Sequence, residues 1–135
     1  MTGEPSDVVA VYEQYLAACN ERRFDDLRNL VAADVSGSGP TDGIDAYVEG
    51  VAAVVRGFPD YRWDLQELLV QGDTVCARLT GRGTHTGTFS GVAATGRAIE
   101  VQELVVYRIR DGRIVHCWGD LFPVVRDALT ATGGS

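Results

Sequence analysis

The run YRIRDGRIVHCW, residues 107–118, constrains this chain more than any other stretch. Two β-rich segments flank Asp111-Gly112, and Asp-Gly between such segments is a strong two-residue hairpin signal. The turn pairs Arg110 with Arg113. An unbroken ladder then sets Ile109 opposite Ile114, Tyr107 opposite His116, Val105 opposite Trp118, Glu103 opposite Asp120 and Val101 opposite Phe122. All ten side chains share one face, because the side-chain period of a strand is two. That face is bulky and aromatic, so it is expected inside, under whatever covers the sheet. Glu103 and Asp120 would then oppose each other within an apolar face, with His116 two places along. Paired like charges tend to share a proton and raise one pKa, the usual setting for acid–base work near neutrality. A bulge or a longer turn would move Glu103 elsewhere. The other face mixes Glu100, Gln102, Leu104, Val106 and Arg108 with Val115, Cys117, Gly119 and Leu121. It suits either a sheet-to-sheet contact in a homodimer or a solvated surface, and the dimer is the expectation.

Upstream of the hairpin the pattern continues as strands. YRWDLQELLVQ, TVCARLTGRGTH and AIEVQELVVYRI alternate, separated by Gly72-Asp73 and by a Gly/Ser/Thr-rich loop over about 86–96. The first half is helical instead. Val8, Val11, Tyr12, Tyr15, Leu16 and Cys19 recur at helical spacing, with Ser6 as N-cap. A short second helix carries Phe24, Leu27, Leu30 and Val31 on one side, and DVSGSGP then breaks the pattern. A third runs through IDAYVEGVAAVVRG, capped by Thr41 or Asp42 and ended at Phe58-Pro59-Asp60. One helical turn is expected in PVVRDALTATGGS before it frays at the end. Helices first and a meander of strands after predict an α+β fold: about three N-terminal helices packed on a curved antiparallel sheet, as a single domain over residues 1–135.

Other classes are excluded. A formal net charge of −7 repels nucleic acid and anionic membranes, and no Lys/Arg cluster overrides it. No stretch is long enough to span a bilayer, and MTGEPSDVV lacks a basic region followed by an apolar run, so a cytoplasmic protein is expected. Cys19, Cys76 and Cys117 are odd in number and far apart, which reads as reduced thiols. His116 adjoins Cys117 but strand neighbours face opposite ways, so it does not activate that thiol. His85 and His116 alone do not make a metal site.

The second half also resembles a known family. Gly83, Thr84, His85, Gly87 and Phe89, then Thr95-Gly96-Arg97, then Arg108 to Ile114 with Trp118 and Asp120, follow the pattern of the SnoaL-like polyketide cyclases of the NTF2-like superfamily. The resemblance implies a cone of helices and curved sheet around a pocket. It implies a small-molecule enzyme that closes a ring of an aromatic polyketide by intramolecular aldol reaction, with one late-strand Asp as acid and base and no metal or cofactor. Asp120 matches that position. His116 and Glu103 would bond carbonyl oxygens or tune Asp120. Trp118, Trp63, Phe122, Tyr15 and Tyr47 would line a flat slot, and His85, part of the family motif, would either join them in binding substrate or pin the Gly-rich loop. Two other readings stand beside this one. The chain could be a ligand-binding protein without turnover, or an epoxide hydrolase or isomerase on the same fold. Against epoxide opening, the stretch near GTHTGT lacks the Arg-x-Asp that such hydrolases carry.

Overall fold

A computed structural model describes residues 5–37 and 43–130. The Ser6 side chain, Thr41, Asp42 and the tail from 131 lie outside the described residues, and with them the expected caps and fraying. Four helices and five strands run in the order α1 Pro5–Asn20, α2 Phe24–Leu30, β1 Val31–Gly37, α3 Ile44–Gly57, β2 Arg62–Gln71, β3 Thr74–Thr84, β4 Ala98–Arg110, β5 Arg113–Gly119 and α4 Leu121–Thr130.

The predicted helical stripes face the sheet. On α1, Val8, Tyr12, Tyr15 and Cys19 are buried, with Val11 and Leu16 packed at the margin. On α3, Val48, Val51 and Val54 are buried, and the helix ends at Phe58 as the following proline requires. Burying each large side chain of this kind contributes about 1.5–3 kcal/mol. Asn20 then locks the end of α1 onto β2. Its side-chain amide donates to the Trp63 carbonyl and its side-chain oxygen accepts from the Trp63 N–H, both at 2.9 Å.

The strands form one open sheet in the order β1-β5-β4-β3-β2. β2 to β5 are the expected antiparallel meander. β1 was not expected: it lies parallel to β5 at the edge, which makes the sheet mixed. Val31, read as the last residue of a helical stripe, instead starts this strand and is buried. Gly37 permits the close approach, since a Cβ there would stand 1.7 Å from the Cys117 carbonyl oxygen. The tail is also more ordered than one turn, forming ten-residue α4. Its final carbonyls are met by Arg97, which donates to Leu129 O at 2.9 Å.

The hairpin turn is as read. Asp111 and Gly112 both have positive φ, 52° and 77°, and Arg110 pairs with Arg113 and Ile109 with Ile114. The ladder then slips. Arg108 faces His116, Tyr107 faces Cys117, Val106 faces Trp118 and Val105 faces Gly119. Val115 is the extra residue of a β-bulge, and beyond it every side chain of β5 has changed face. Ile114, Cys117 and Gly119 now look inward with Val105 and Tyr107. His116 and Trp118 look outward with Arg108 and Val106. The expected pairing of Glu103 with Asp120 is therefore corrected. Asp120 and Phe122 also lie beyond β5, where the chain turns into α4.

Candidate active site

The inner face of the sheet does not pack flush against the helices. Between α1, α3, the start of α4 and all five strands lies a cavity of about 530 Å³. This is within the range of about 300–1,000 Å³ usual for small-molecule sites. Its walls are mainly apolar and aromatic. Among the described residues, Glu103 is the only carboxyl in the lining, and no Lys, Arg or His lines it.

Glu103 gets there by simple alternation. On β4 the odd positions Ile99, Val101, Glu103, Val105, Tyr107 and Ile109 all point in and are buried. The carboxyl is 2% exposed. The Tyr61 hydroxyl donates to its Oε2 at 3.2 Å. Burial pushes the carboxyl up from 4.5 to about 7. The Tyr61 bond pulls it partly back, the negative charge of Asp120 adds to the rise, and a contact with Trp63 opposes it. A carboxyl poised there holds both protonation states at neutral pH.

Tyr61 was not singled out in the sequence, although it stands in phase with inward-facing Trp63. Glycine makes room for it. A Cβ on Gly81 would lie 1.9 Å from the Tyr61 hydroxyl oxygen, and one on Gly83 would meet Phe58 and Tyr61 at 3.0 Å. Both glycines lie on β3, which reads as a cleared floor under this phenol.

The nominated residues divide sharply. Glu103, Trp63, Tyr15, Tyr47 and Phe122 line the cavity. Phe122 does so from the first turn of α4, stacked on Phe89 at 5.2 Å. Asp120, His116, Trp118 and His85 do not line it. Asp120 lies between β5 and α4, where its Oδ1 accepts from the Leu104 N–H at 3.1 Å and its carbonyl from the Val124 N–H at 3.0 Å. His116 sits on the outer face, its Nδ1 2.5 Å from Ser36 Oγ and its ring stacked on Trp118 at 5.0 Å. Trp118 is 41% exposed, with the Arg108 guanidinium 5.8 Å above it. His85 is fully buried and stacked on Phe58 at 5.1 Å. Its Nδ1 accepts from the Thr95 N–H at 3.2 Å, so its role is to pin the Gly-rich loop.

Also on the cavity wall, the Tyr15 and Tyr47 hydroxyls are 2.6 Å apart. Tyr15 also packs edge-on against Tyr107, with ring centroids 5.6 Å apart. Burial raises all three phenols well above their ordinary range, so they stay protonated. Cys19 and Cys117 join this wall. Burial pushes their thiols up to about 12 and about 11, which makes them poor nucleophiles. All three cysteines are free. Among the described residues, no three His, Cys, Asp or Glu side chains gather as a metal-ligand set.

These features define a class: a small α+β cone whose helices cover one face of a curved sheet over an apolar, ligand-sized cavity holding one buried carboxyl. The chain belongs to the SnoaL-like polyketide cyclase family, whose model matches residues 9–126, and its fold is NTF2-like. It is similar to IdmH from Streptomyces antibioticus, a presumed polyketide cyclase, at 31% identity over 91% of this chain and 96% of that one, with a TM-score of 0.72. TsrD from Streptomyces laurentii matches at 26% identity over 96% and 98%, with a TM-score of 0.83. A SnoaL-like protein of Jannaschia sp. CCS1 shares the fold at 20% identity over 98% and 97%, with a TM-score of 0.82. No curated protein sequence matches the chain. Membership implies a small-molecule ligand. No helix among the described residues is long and apolar enough to cross a membrane.

Proposed function

We propose that the chain is an enzyme of aromatic polyketide tailoring that closes a ring by intramolecular aldol reaction, with Glu103 as acid and base. The observation that supports this is the carboxyl of Glu103, the single one on the cavity wall among the described residues, buried and with its pKa raised to about 7. The ionised carboxylate takes a proton from a carbon flanked by carbonyls. The resulting enolate carbon forms the new C–C bond to the accepting carbonyl carbon, whose π electrons move to its oxygen. Glu103, now protonated, returns the proton to that alkoxide. An enolate conjugated with an aromatic system spreads its charge over the ring, so the chain's own side chains suffice for the step.

In this reading Asp120 is a positioning residue. It secures the junction of β5 and α4, and its charge helps to raise the Glu103 pKa. His116 and Trp118 serve the outer face rather than the substrate. Epoxide opening by a carboxylate pair loses support, because Glu103 and Asp120 are not together in the cavity.

The test is turnover of a tricyclic aromatic polyketide ester by the wild type and by Glu103→Gln, with ligand affinity measured alongside. Loss of turnover with affinity retained is expected. Binding without turnover in the wild type would favour a ligand-binding protein.

The protein is further proposed to be a homodimer through the sheet. Leu69, Cys76, Val106 and Trp118 are consecutive cross-strand partners and form one row over four strands of the outer face. Leu69 is 61% exposed and nearby Leu104 56%. A second copy would cover this row.

A further inference from the structure

We propose that Tyr15 and Tyr47 together form the oxyanion-binding element of the cavity, donating to a substrate oxygen that gains negative charge while Glu103 moves the proton. This rests on the reading of Glu103 as acid and base. It adds a requirement on the substrate: an enolisable carbonyl or acidic phenol oxygen that takes up the charge left when carbon loses its proton.

Charge balance is the first argument. Removing a proton from carbon leaves a negative charge on the substrate, and among the described residues no cationic side chain lines the cavity. Neutral donors must meet it. The phenols are kept in their O–H form by burial, so they remain donors across the working pH range.

The second argument is a hydrogen-bond inventory. With the hydroxyls 2.6 Å apart, one phenol proton is used within the pair. One is left over. Thiols stand beside both phenols, Cys19 beside Tyr15 and Cys117 beside Tyr47. Sulfur is a weak acceptor, so an anionic oxygen takes that proton in preference. The pair can present the free proton from either oxygen, according to which phenol donates to the other.

The third argument is rigidity. Tyr15 packs against Tyr12, Tyr47 and Tyr107, with ring centroids 6.0, 6.3 and 5.6 Å away. Donors already held in place need no reorganisation as charge develops, which is what makes such a site effective. Tyr107, against which Tyr15 packs, lies four residues from Glu103 on the same face of β4, about 13 Å along the strand from Cα to Cα. A flat, multi-ring molecule suits the aromatic walls around both groups.

The experiment uses 2-naphthol, 6-bromo-2-naphthol and 6-cyano-2-naphthol as probes of rising acidity, and 2-methylnaphthalene as the hydroxyl-free control. Binding is measured at pH 6, and ultraviolet absorbance separates bound naphthol from naphtholate. In the wild type, affinity is expected to rise with acidity and the cyano compound to bind as naphtholate below its solution pKa. Tyr15→Phe and Tyr47→Phe should each weaken the cyano compound about tenfold, the effect of one hydrogen bond to a charged group, and leave 2-methylnaphthalene unchanged. The double variant should be little worse than either single one, since the pair acts as a unit. Glu103→Gln should keep this pattern even though it abolishes turnover, so failure of the acid–base reading and failure of this one are separable. Affinity independent of acidity, a neutral bound spectrum, no naphthol binding at all, or equal loss of probe and control in the variants would each overturn the proposal. The wild-type spectra decide the matter even if a variant does not fold.

Discussion

The two faces of the β4–β5 hairpin are made from the same strands and have opposite chemistry. Inside, Glu103, Val105 and Tyr107 join Cys117 and Gly119 at a cavity where, among the described residues, Glu103 is the one carboxyl and is 2% exposed. Outside, Val106 and Arg108 meet Trp118 and His116, and the Leu104 N–H holds Asp120 just past the end of β5. Glu103 and Asp120 are the same chemical group in two settings, one under the sheet and one at the turn into α4. Burial raises the pKa of the first to about 7, while backbone donation ties down the second. The difference ties a carboxylate's chemistry to its surroundings more than to its place in a motif.

The strongest check on this contrast is turnover. Glu103→Gln should lower kcat at least a hundredfold, the usual scale for losing a general acid–base group, while Asp120→Asn should cost less than tenfold. Equal losses would erase the distinction between the faces. Next is the dependence of stability on pH. The folded carboxyl titrates at about 7 and the free group at 4.5. Below pH 4.5 both states are protonated and nothing is lost. Between 4.5 and 7 the unfolded chain ionises first, so stability falls, by about 3 kcal/mol in all, and is level above 7. Urea denaturation across this range should show the slope in the wild type and not in Glu103→Gln.

Gly81→Ala should follow, at about 2 kcal/mol of destabilisation, because its Cβ would collide with the Tyr61 hydroxyl. Thermal unfolding measures that cost, and a pH titration of Glu103 should move once Tyr61 is displaced. On the outer face, Leu104→Glu should leave the fold intact and convert a dimer to a monomer in light scattering. An unchanged mass would leave the apolar row as plain surface. The smallest effect belongs to Asp120→Asn on the pH–rate profile. Its charge raises the Glu103 pKa, so removing it should shift the acid limb to lower pH by a fraction of a unit.

Much of this architecture was legible beforehand, and what was not has identifiable causes. Helices α1 and α3 carry long, regular apolar stripes, and β2 to β4 alternate cleanly, so periodicity alone locates them. Asp111-Gly112 adopts the two positive φ values that a tight hairpin needs. The register beyond it was misread because β5 is ambiguous: His116 and Trp118 are bulky, whereas Cys117 and Gly119 are small. Bulk usually marks the core, but a wall beside a cavity needs small residues. Val115 carries no mark of a bulge in its own chemistry. The edge strand β1 was missed because seven residues with glycine and serine look like a loop until a partner strand supplies the ladder. Glu103, Trp63, Tyr15 and Tyr47 line the cavity as expected because their phase within regular elements is legible in the sequence. Asp120, His116 and Trp118 were assigned to the cavity by extending the ladder one bulge too far.

The bulge also distributes the two tryptophans, one to each face. Trp63 lies in the cavity wall with Tyr61 4.6 Å away, and Trp118 is 41% exposed beneath Arg108. A shielded indole emits at shorter wavelength than a hydrated one, so the two signals separate. Trp118→Phe leaves an intrinsic reporter of what enters the cone, and Trp63→Phe leaves one of what docks on its back. The chain therefore carries an optical channel for each face, and either event can be followed without attaching a label.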